Sequence, residues 1–337
     1  MASLKDFPAP LENSAHWPWV PAQLSFPQDL TGTQLPRITV ITPSFNQGHF
    51  IEETIRSVLL QGYPGLEYIV IDGGSTDETI SIIKKYEPWL SYWVSEPDRG
   101  QSHAINKGLE KATGDLAAWL NADDVYLPDA LFAVARAALK DREHVSWIVG
   151  TTLYTDSDLS EVDRFVPEMY SATGRDKHYQ PAGWLDYVCN KRAGISLPQQ
   201  SSFWRRSAVV EVGGIEESLH YAMDHELYGR LAHRGYRPVV LDKALACFRT
   251  HGAQKTSKFP IVFWQEELAV VHHWVGLTNG IERQTLEKYA VWLDRKIRGY
   301  PLQSFYQTIF SYIKKQLKFL FPSVYKNLRD VRDSLQR

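Results

Sequence analysis

Two adjacent carboxylates, Asp123 and Asp124, close the run Ala117-Ala118-Trp119-Leu120-Asn121-Ala122-Asp123-Asp124, where an apolar strand gives out and Val125-Tyr126-Leu127-Pro128 turns the chain away. Paired acids at a strand end can hold a divalent cation against a diphosphate. They can equally cap a turn, because Asp and Asn bond readily to nearby backbone. The company the pair keeps separates these readings. Polar and glycine-rich segments follow other apolar runs in the same way: Thr42-Pro43-Ser44-Phe45-Asn46, Asp72-Gly73-Gly74-Ser75-Thr76-Asp77 and Glu96-Pro97-Asp98-Arg99-Gly100. The chain has neither GxGxxG nor GxxxxGK[ST], so a hydride-transfer dinucleotide site and a phosphate-loop ATPase both lack support. A diphosphate must then be neutralised by other means, and a cation held by strand-end carboxylates does this. Asp123 is the first candidate ligand and Asp124 the second.

The elements that position these residues alternate strand and helix. Residues 37–42 form a buried-strand run ended by Pro43, and residues 50–60 show helical spacing through Ile51, Ile55, Val58 and Leu59. A second unit follows, with a strand at 66–71, a turn at Gly73-Gly74, Ser75 or Thr76 as candidate N-cap, and a helix at 77–86. Residues 92–94 make a short third strand, 101–112 a helix, 115–120 a fourth strand and 128–140 another helix. This pattern predicts an α/β fold, a doubly wound, mostly parallel sheet with helices on both faces, whose ligands gather at the carboxyl ends of the strands. After Gly150 the regularity weakens, and residues 154–199 read as a variable, substrate-facing stretch. Helices return at 207–212 and 225–233, then two short strands at 237–241 and 244–249. Residues 260–337 read as a helical tail.

With 337 residues, 44% hydrophobic and 23% charged, the chain can bury a sizeable core. A formal net charge of -2 gives no long-range pull toward nucleic acid, which is not an expected partner. Two cysteines, Cys189 and Cys247, cannot make a disulfide framework, so a reducing, cytoplasmic setting is expected. Residues 8–36 read as an extended arm anchored by Trp17 and Trp19. Residues 1–30 carry no continuous apolar core of the kind a secretory signal needs. Along the chain no run approaches the roughly 20 apolar residues of a membrane-spanning helix. In residues 305–321, Phe305, Ile309, Phe310, Ile313, Leu317, Leu320 and Phe321 recur at helical spacing beside Lys314, Lys315 and Lys318. That pattern fits a core-facing helix or one lying on a membrane surface, and peripheral contact there would suit a lipid-linked acceptor.

Taken in order, these motifs resemble the family-2 glycosyltransferases of the GT-A fold, over roughly residues 38–257. Ile41-Thr42-Pro43-Ser44-Phe45-Asn46 is similar to the first-strand motif that opens the nucleotide pocket. Asp72-Gly73-Gly74-Ser75-Thr76-Asp77 is similar to the second, whose first aspartate contacts the base. Glu96-Pro97-Asp98-Arg99-Gly100, Ala104-Ile105-Asn106-Lys107-Gly108 and Thr113-Gly114-Asp115 resemble the stretch that closes over the uridine side. Asn121-Ala122-Asp123-Asp124 stands at the DXD position, with Asn121 where the family commonly has Asp; an amide there can hydrogen-bond a ribose hydroxyl. The resemblance implies a nucleotide-sugar donor held by Thr42, Pro43, Ser44, Asn46, Asp72, Gly74, Asp98, Arg99, Asn106, Asn121, Ala122 and Asp123.

Mn²⁺ or Mg²⁺ would sit on Asp123 and Asp124, with His251 of Phe248-Arg249-Thr250-His251-Gly252-Ala253-Gln254-Lys255 as third ligand. Tyr221-Ala222-Met223-Asp224-His225-Glu226-Leu227 resembles the segment that carries the catalytic base. Asp224 takes that role and Glu226 stands behind it, while Met223 replaces the usual Glu. Gln199-Gln200-Ser201-Ser202-Phe203-Trp204 resembles the acceptor border, with Gln200, Ser201, Trp204 and Glu226 as candidate contacts. Trp204 offers a ring face to a sugar or packs the core. The domain expectation is an arm (1–36), a catalytic domain (37–258, its nucleotide half 37–127 and acceptor half 128–258) and a helical extension (259–337). The expected activity is transfer of a sugar, from a UDP-sugar by family tendency, to a saccharide or lipid-linked saccharide hydroxyl with inversion. Two competitors stay open: a sugar-1-phosphate nucleotidyltransferase and a non-catalytic nucleotide-sugar-binding module.

Overall fold

The structure, a computed structural model, describes residues 7–9, 17–19, 26–140, 145–165, 197–255 and 260–300. Its centre is a nine-stranded sheet ordered β3-β2-β1-β4-β8-β6-β9-β5, with β7 paired to β6. The strands are β1 (Ile38–Ser44), β2 (Leu66–Asp72), β3 (Tyr92–Ser95), β4 (Leu116–Trp119), β5 (Val125–Tyr126), β6 (Trp147–Thr155), β7 (Glu161–Phe165), β8 (Ser202–Arg205) and β9 (Pro238–Arg249). Eight α-helices accompany them among the described residues: α1 (Ile51–Leu59), α2 (Thr79–Tyr86), α3 (Gln101–Lys111), α4 (Ala130–Lys140), α5 (Arg206–Glu211), α6 (Met223–His233), α7 (Pro260–Leu277) and α8 (Gly280–Arg298).

β1 and β2 are buried at every position because helices cover both faces of the sheet. Alternation along β1 assigns the faces. Ile38 and Val40 pack with Ile51, Ile55 and Val58 of α1, Ile83 of α2 and Leu131 of α4. Ile41 packs on the other side with Ala104 and Ile105 of α3, Leu227 of α6, Val271 of α7 and Leu286 of α8. β1, β2, β3 and β4 are mutually parallel, and β2 and β4 flank β1 on opposite sides. That reversal of strand order opens a crevice at the carboxyl ends of β1 and β4, the usual ligand position in such sheets.

The second half is mixed: β8 runs antiparallel to both β4 and β6, while β9 is parallel to β6. The two short strands expected at 237–241 and 244–249 are one strand. Their apparent break is a bulge, where the partner of β6 jumps from Val240 at Val149 to Ala244 at Thr151. A Cβ on Gly150 would lie 2.4 Å from Leu245 Cγ, so the bulge needs a residue without a side chain there. β6, β7 and β8 carry no clear alternating pattern and leave no strand signature in the sequence.

The arm is anchored as the tryptophans suggest. Trp17 Nε1 donates to Tyr126 O and Trp19 Nε1 to Glu53 Oε1, each at 2.7 Å. The buried guanidinium of Arg56 donates to the carbonyls of Pro8, Pro18 and Trp19, and lies 5.0 Å from the ring centroids of Phe7 and Trp19. Among the described residues no helix is long and apolar enough to cross a membrane. The amphipathic stretch at 305–321 lies outside the described residues, as does most of 154–199.

Candidate active site

The polar segments meet along the carboxyl rim of the parallel strands. Ser44 ends β1 opposite Asp72, which ends β2. Asp72 is wholly buried: its carboxylate accepts from Gly74 N, Ser75 N, Ser75 Oγ and Ser95 Oγ at 2.5–3.1 Å. With both oxygens engaged, Asp72 braces the loop. Ser75 serves Asp72 and not the helix end; Asp77 Oδ1 instead accepts from Thr79 N at 3.1 Å. Asn46, at a φ of 51°, joins the two loops by donating its N–H to Ser75 Oγ and accepting from Thr76 N. Thr42 is buried and its hydroxyl pairs with Tyr68 OH at 3.0 Å.

Asp98 stands over Gly73. A Cβ at Gly73 would come within 2.8 Å of Asp98 Oδ2, so the glycine makes room for that carboxylate. Asp98 Oδ1 accepts from Gly100 N at 2.8 Å. Burial, with a smaller push from Asp72, raises the Asp98 carboxyl above the usual carboxylate range. Ser44 Oγ, on the adjoining strand end, is buried with no hydrogen-bond partner. An unpaired buried hydroxyl costs free energy until a ligand or water meets it. Arg99 points outward to Glu217 at 2.5 Å. Asn106 spends its amide on Ile215 N, Ile215 O and Glu217 Oε1, so it fixes the turn after α5 and is not free for a donor.

The acidic turn divides its work. Asp124 is wholly buried; Oδ1 accepts from Arg249 N at 3.0 Å and Oδ2 from Asn121 Nδ2 at 3.2 Å. Burial, then the neighbouring Asp123 charge, push its carboxyl well up. Asp123 is the more accessible of the two, and its Oδ2 lies 3.1 Å from His251 Nε2. His251 is held by the ring of Phe50, with centroids 4.4 Å apart. No group of three or more His, Cys, Asp or Glu gathers as a metal cluster among the described residues. The oxygen and imidazole nitrogen of Asp123 and His251 suit a borderline or hard divalent ion that takes its other ligands from water and phosphate. Asp124, its oxygens occupied within the protein, shapes the turn that presents Asp123.

The acceptor-side segment reaches this turn through a hydrogen-bonded frame that the sequence reading lacks. Asn121 Oδ1 accepts from Gln101 Nε2 at 2.7 Å, and its amide faces Gln199 Oε1. Lys255 Nζ lies 3.4 Å from Gln101 Oε1, donates to His220 O and sits 4.8 Å from the Tyr221 ring centroid. Asp224 follows within four residues of His220, in the first turn of α6, partly exposed, with Oδ1 accepting from His225 N at 2.9 Å. One run of contacts, Asn121 to Gln101 to Lys255 to His220, thus connects the segment that carries Asp123 with the segment that carries Asp224. Gln199 and Lys255 stand inside the quoted motifs and Gln101 directly after one, but nothing in their spacing tells which partner each finds.

Three expected acceptor contacts do other work. Glu226 is gripped by Arg230 at 2.6–2.9 Å, and Arg230 also donates to Val212 O and Gly214 O, so Glu226 orients the guanidinium that fixes the turn after α5. Trp204 is 1% exposed and stacks on Trp119 with centroids 4.8 Å apart, a core residue with no face for a sugar. Ser201 is buried, its hydroxyl bonded to Thr151 O and Thr152 Oγ1. Gln200 is buried against Asp124.

Residues 39–205 match the model of glycosyl transferase family 2. An uncharacterized glycosyltransferase of Mycobacterium tuberculosis is 33% identical over 221 residues, 65% of this chain and 78% of that protein. The chain belongs to glycosyl transferase family 2. Its fold is likewise that of solved glycosyltransferases. Staphylococcus aureus TarS, solved with UDP-GlcNAc, aligns at a TM-score of 0.58 with 21% identity, covering 76% of this chain and 71% of that one. The mannosyltransferase PcManGT from Pyrobaculum calidifontis, solved with GDP-Man and Mn²⁺, aligns at 0.55 with 18% identity, covering 90% and 81%. The family segment spans the donor rim and ends at β8, before Asp224 and His251.

Proposed function

We propose that this glycosyltransferase moves a sugar from a UDP-sugar to a hydroxyl of a saccharide or lipid-linked saccharide acceptor, by single displacement with inversion, in polysaccharide or glycoconjugate synthesis. The observation that carries the reading is the frame from Asn121 through Gln101 and Lys255 to His220, which connects the segment of Asp123 with that of Asp224. Asp123 and His251 would hold Mn²⁺ or Mg²⁺, which when bound neutralises charge growing on the leaving diphosphate. Asp224 accepts the acceptor proton as its oxygen bonds to the anomeric carbon, while the bond from that carbon to the phosphate oxygen breaks and UDP departs.

On the base side, Asp98 and Ser44 take the part expected of Asp72. An ionised carboxylate accepts hydrogen bonds, so it favours a base edge that donates, as uracil N3–H and guanine N1–H do. Cytosine and adenine present an acceptor at the corresponding ring nitrogen. The test is a thermal-shift screen of UDP, GDP, CDP and ADP with and without Mn²⁺, followed by nucleotide release from the matching sugars. A ligand that binds only the folded state raises the melting temperature. A Mn²⁺-dependent shift with UDP and release of UDP from a UDP-sugar are expected; a shift with CDP or ADP alone would refute the base assignment. Diphosphate release from a nucleoside triphosphate and a sugar phosphate would instead make the protein a nucleotidyltransferase.

A further inference from the structure

α7 carries two consecutive acids, Glu266 and Glu267, that reach back to α6 on either side of Asp224. The three residues leading into α6 present successive N–H groups to one carboxylate. His220 N lies 3.0 Å, Tyr221 N 2.7 Å and Ala222 N 3.1 Å from Glu266 Oε2. His220 N also lies 3.1 Å from Oε1. Directly after Asp224, His225 Nδ1 sits 2.6 Å from Glu267 Oε2 in a pair with side chains 7% and 2% exposed. Tyr289 OH of α8 donates to the other oxygen of Glu267 at 3.3 Å. A carboxylate that gathers three backbone N–H groups fixes their direction, because charge-assisted hydrogen bonds are short and strong. A buried ion pair or hydrogen-bonded pair cannot shed a partner without leaving an unpaired polar group.

The geometry points to Glu266 and Glu267 as positioning residues, through which the helices after residue 260 set the carboxylate of Asp224 against the acceptor hydroxyl. This rests on Asp224 being the base. Glu266 bonds the segment that leads into α6, with Lys255 and Gln101 standing between His220 and Asn121, and both glutamates lie beyond the segment the family model matches. Their effect should therefore fall on the chemical step and spare donor binding, since small misplacements of a reacting group cost large factors in rate.

The test uses donor hydrolysis, with water standing in for the acceptor, on UDP-glucose, UDP-GlcNAc, UDP-galactose and GDP-mannose in Mn²⁺, alongside titration with UDP. On the donor turned over fastest, Glu266→Ala should lower kcat by roughly 10²-fold with KM and UDP affinity within about 2-fold. Glu266→Gln, which keeps an acceptor oxygen and guards against a folding defect, should lose roughly 10-fold. In the Asp224→Asn background neither change should lower the residual rate further, because both act through the group already removed. If Asp224→Asn is inactive while Glu266→Ala retains full kcat, or if its loss persists undiminished in the Asp224→Asn background, the positioning role is wrong. A parallel rise in donor KM would also overturn it. Normal kcat in Asp224→Asn, or nucleotide release from none of the four donors, would bring down the base assignment and this inference with it.

Discussion

The donor rim and the acceptor rim are built by different rules. On the donor side, in the loops after β1 and β2, the polar residues find partners in the same loop or at a neighbouring strand end. Asp72 and Ser75 bond within their own turn, and Asn46 reaches across to Thr76. At the acidic turn and on the acceptor side the partners come from far along the chain: Arg249 supports Asp124, Lys255 meets Gln101, and Glu266 holds 220–222. The donor rim is set by strand ends and turns; the acceptor rim waits for helices α6, α7 and α8 to pack. A pocket of the first kind can be fixed within one sheet while the second varies around it, which suits transferases that share donors but differ in acceptors.

That contrast can be broken from either side. The largest effect is expected from Asp224→Asn, a loss of roughly 10³-fold or more in transfer with UDP affinity unchanged, measured by steady-state kinetics and calorimetry. Asp123→Asn should cost on the order of 10²- to 10³-fold and abolish the Mn²⁺ dependence of the UDP thermal shift, so the two carboxylates separate by their effect on binding. Chelation of the metal in the unmodified protein should reproduce the Asp123 result and leave the folded state intact. Gly73→Ala should weaken UDP about 10-fold, because the added Cβ pushes on Asp98 Oδ2.

A pH titration sharpens the same point. The raised carboxyl of Asp98 must be ionised to accept from the base, so UDP binding should be complete above that raised value and fall away as pH drops through it, earlier than an ordinary carboxylate would allow. Asp98→Asn should remove this acid limb. The smallest effect on catalysis is expected from Trp204→Phe. It should cost about 1–3 kcal/mol of stability in denaturant unfolding and leave the acceptor KM unchanged, as a core residue should.

The same division decides what the sequence makes legible. The βα units announce themselves because buried strands, glycine turns and amphipathic helices each leave a local signature, and α1 through α4 fall within two residues of where the periodicity predicts them. The long β9 reads as two strands because a bulge and the polar residues Asp242 and Lys243 interrupt its apolar run. Asp123 and His251 are picked out by type and place, and the fold brings them within 3.1 Å of each other. Asn106, Ser201, Trp204 and Glu226 look equally functional as letters, yet Ile215, Thr151, Trp119 and Arg230 claim them. Only three-dimensional partners distinguish a carboxylate bound to Arg230 from one left to take a proton. Glu266 and Glu267 show the converse: two ordinary helix acids whose work appears only once α7 is laid beside α6.

Glu53 is shared. Its Oε1 receives the Trp19 indole N–H, and its Oε2 meets the guanidinium of Arg249, whose own N–H supports Asp124. A fusion partner or affinity handle that peels Trp17 and Trp19 off the surface would strip one of two hydrogen-bonded contacts from that acid. The disturbance would arrive, through a single side chain, beneath the turn that presents Asp123.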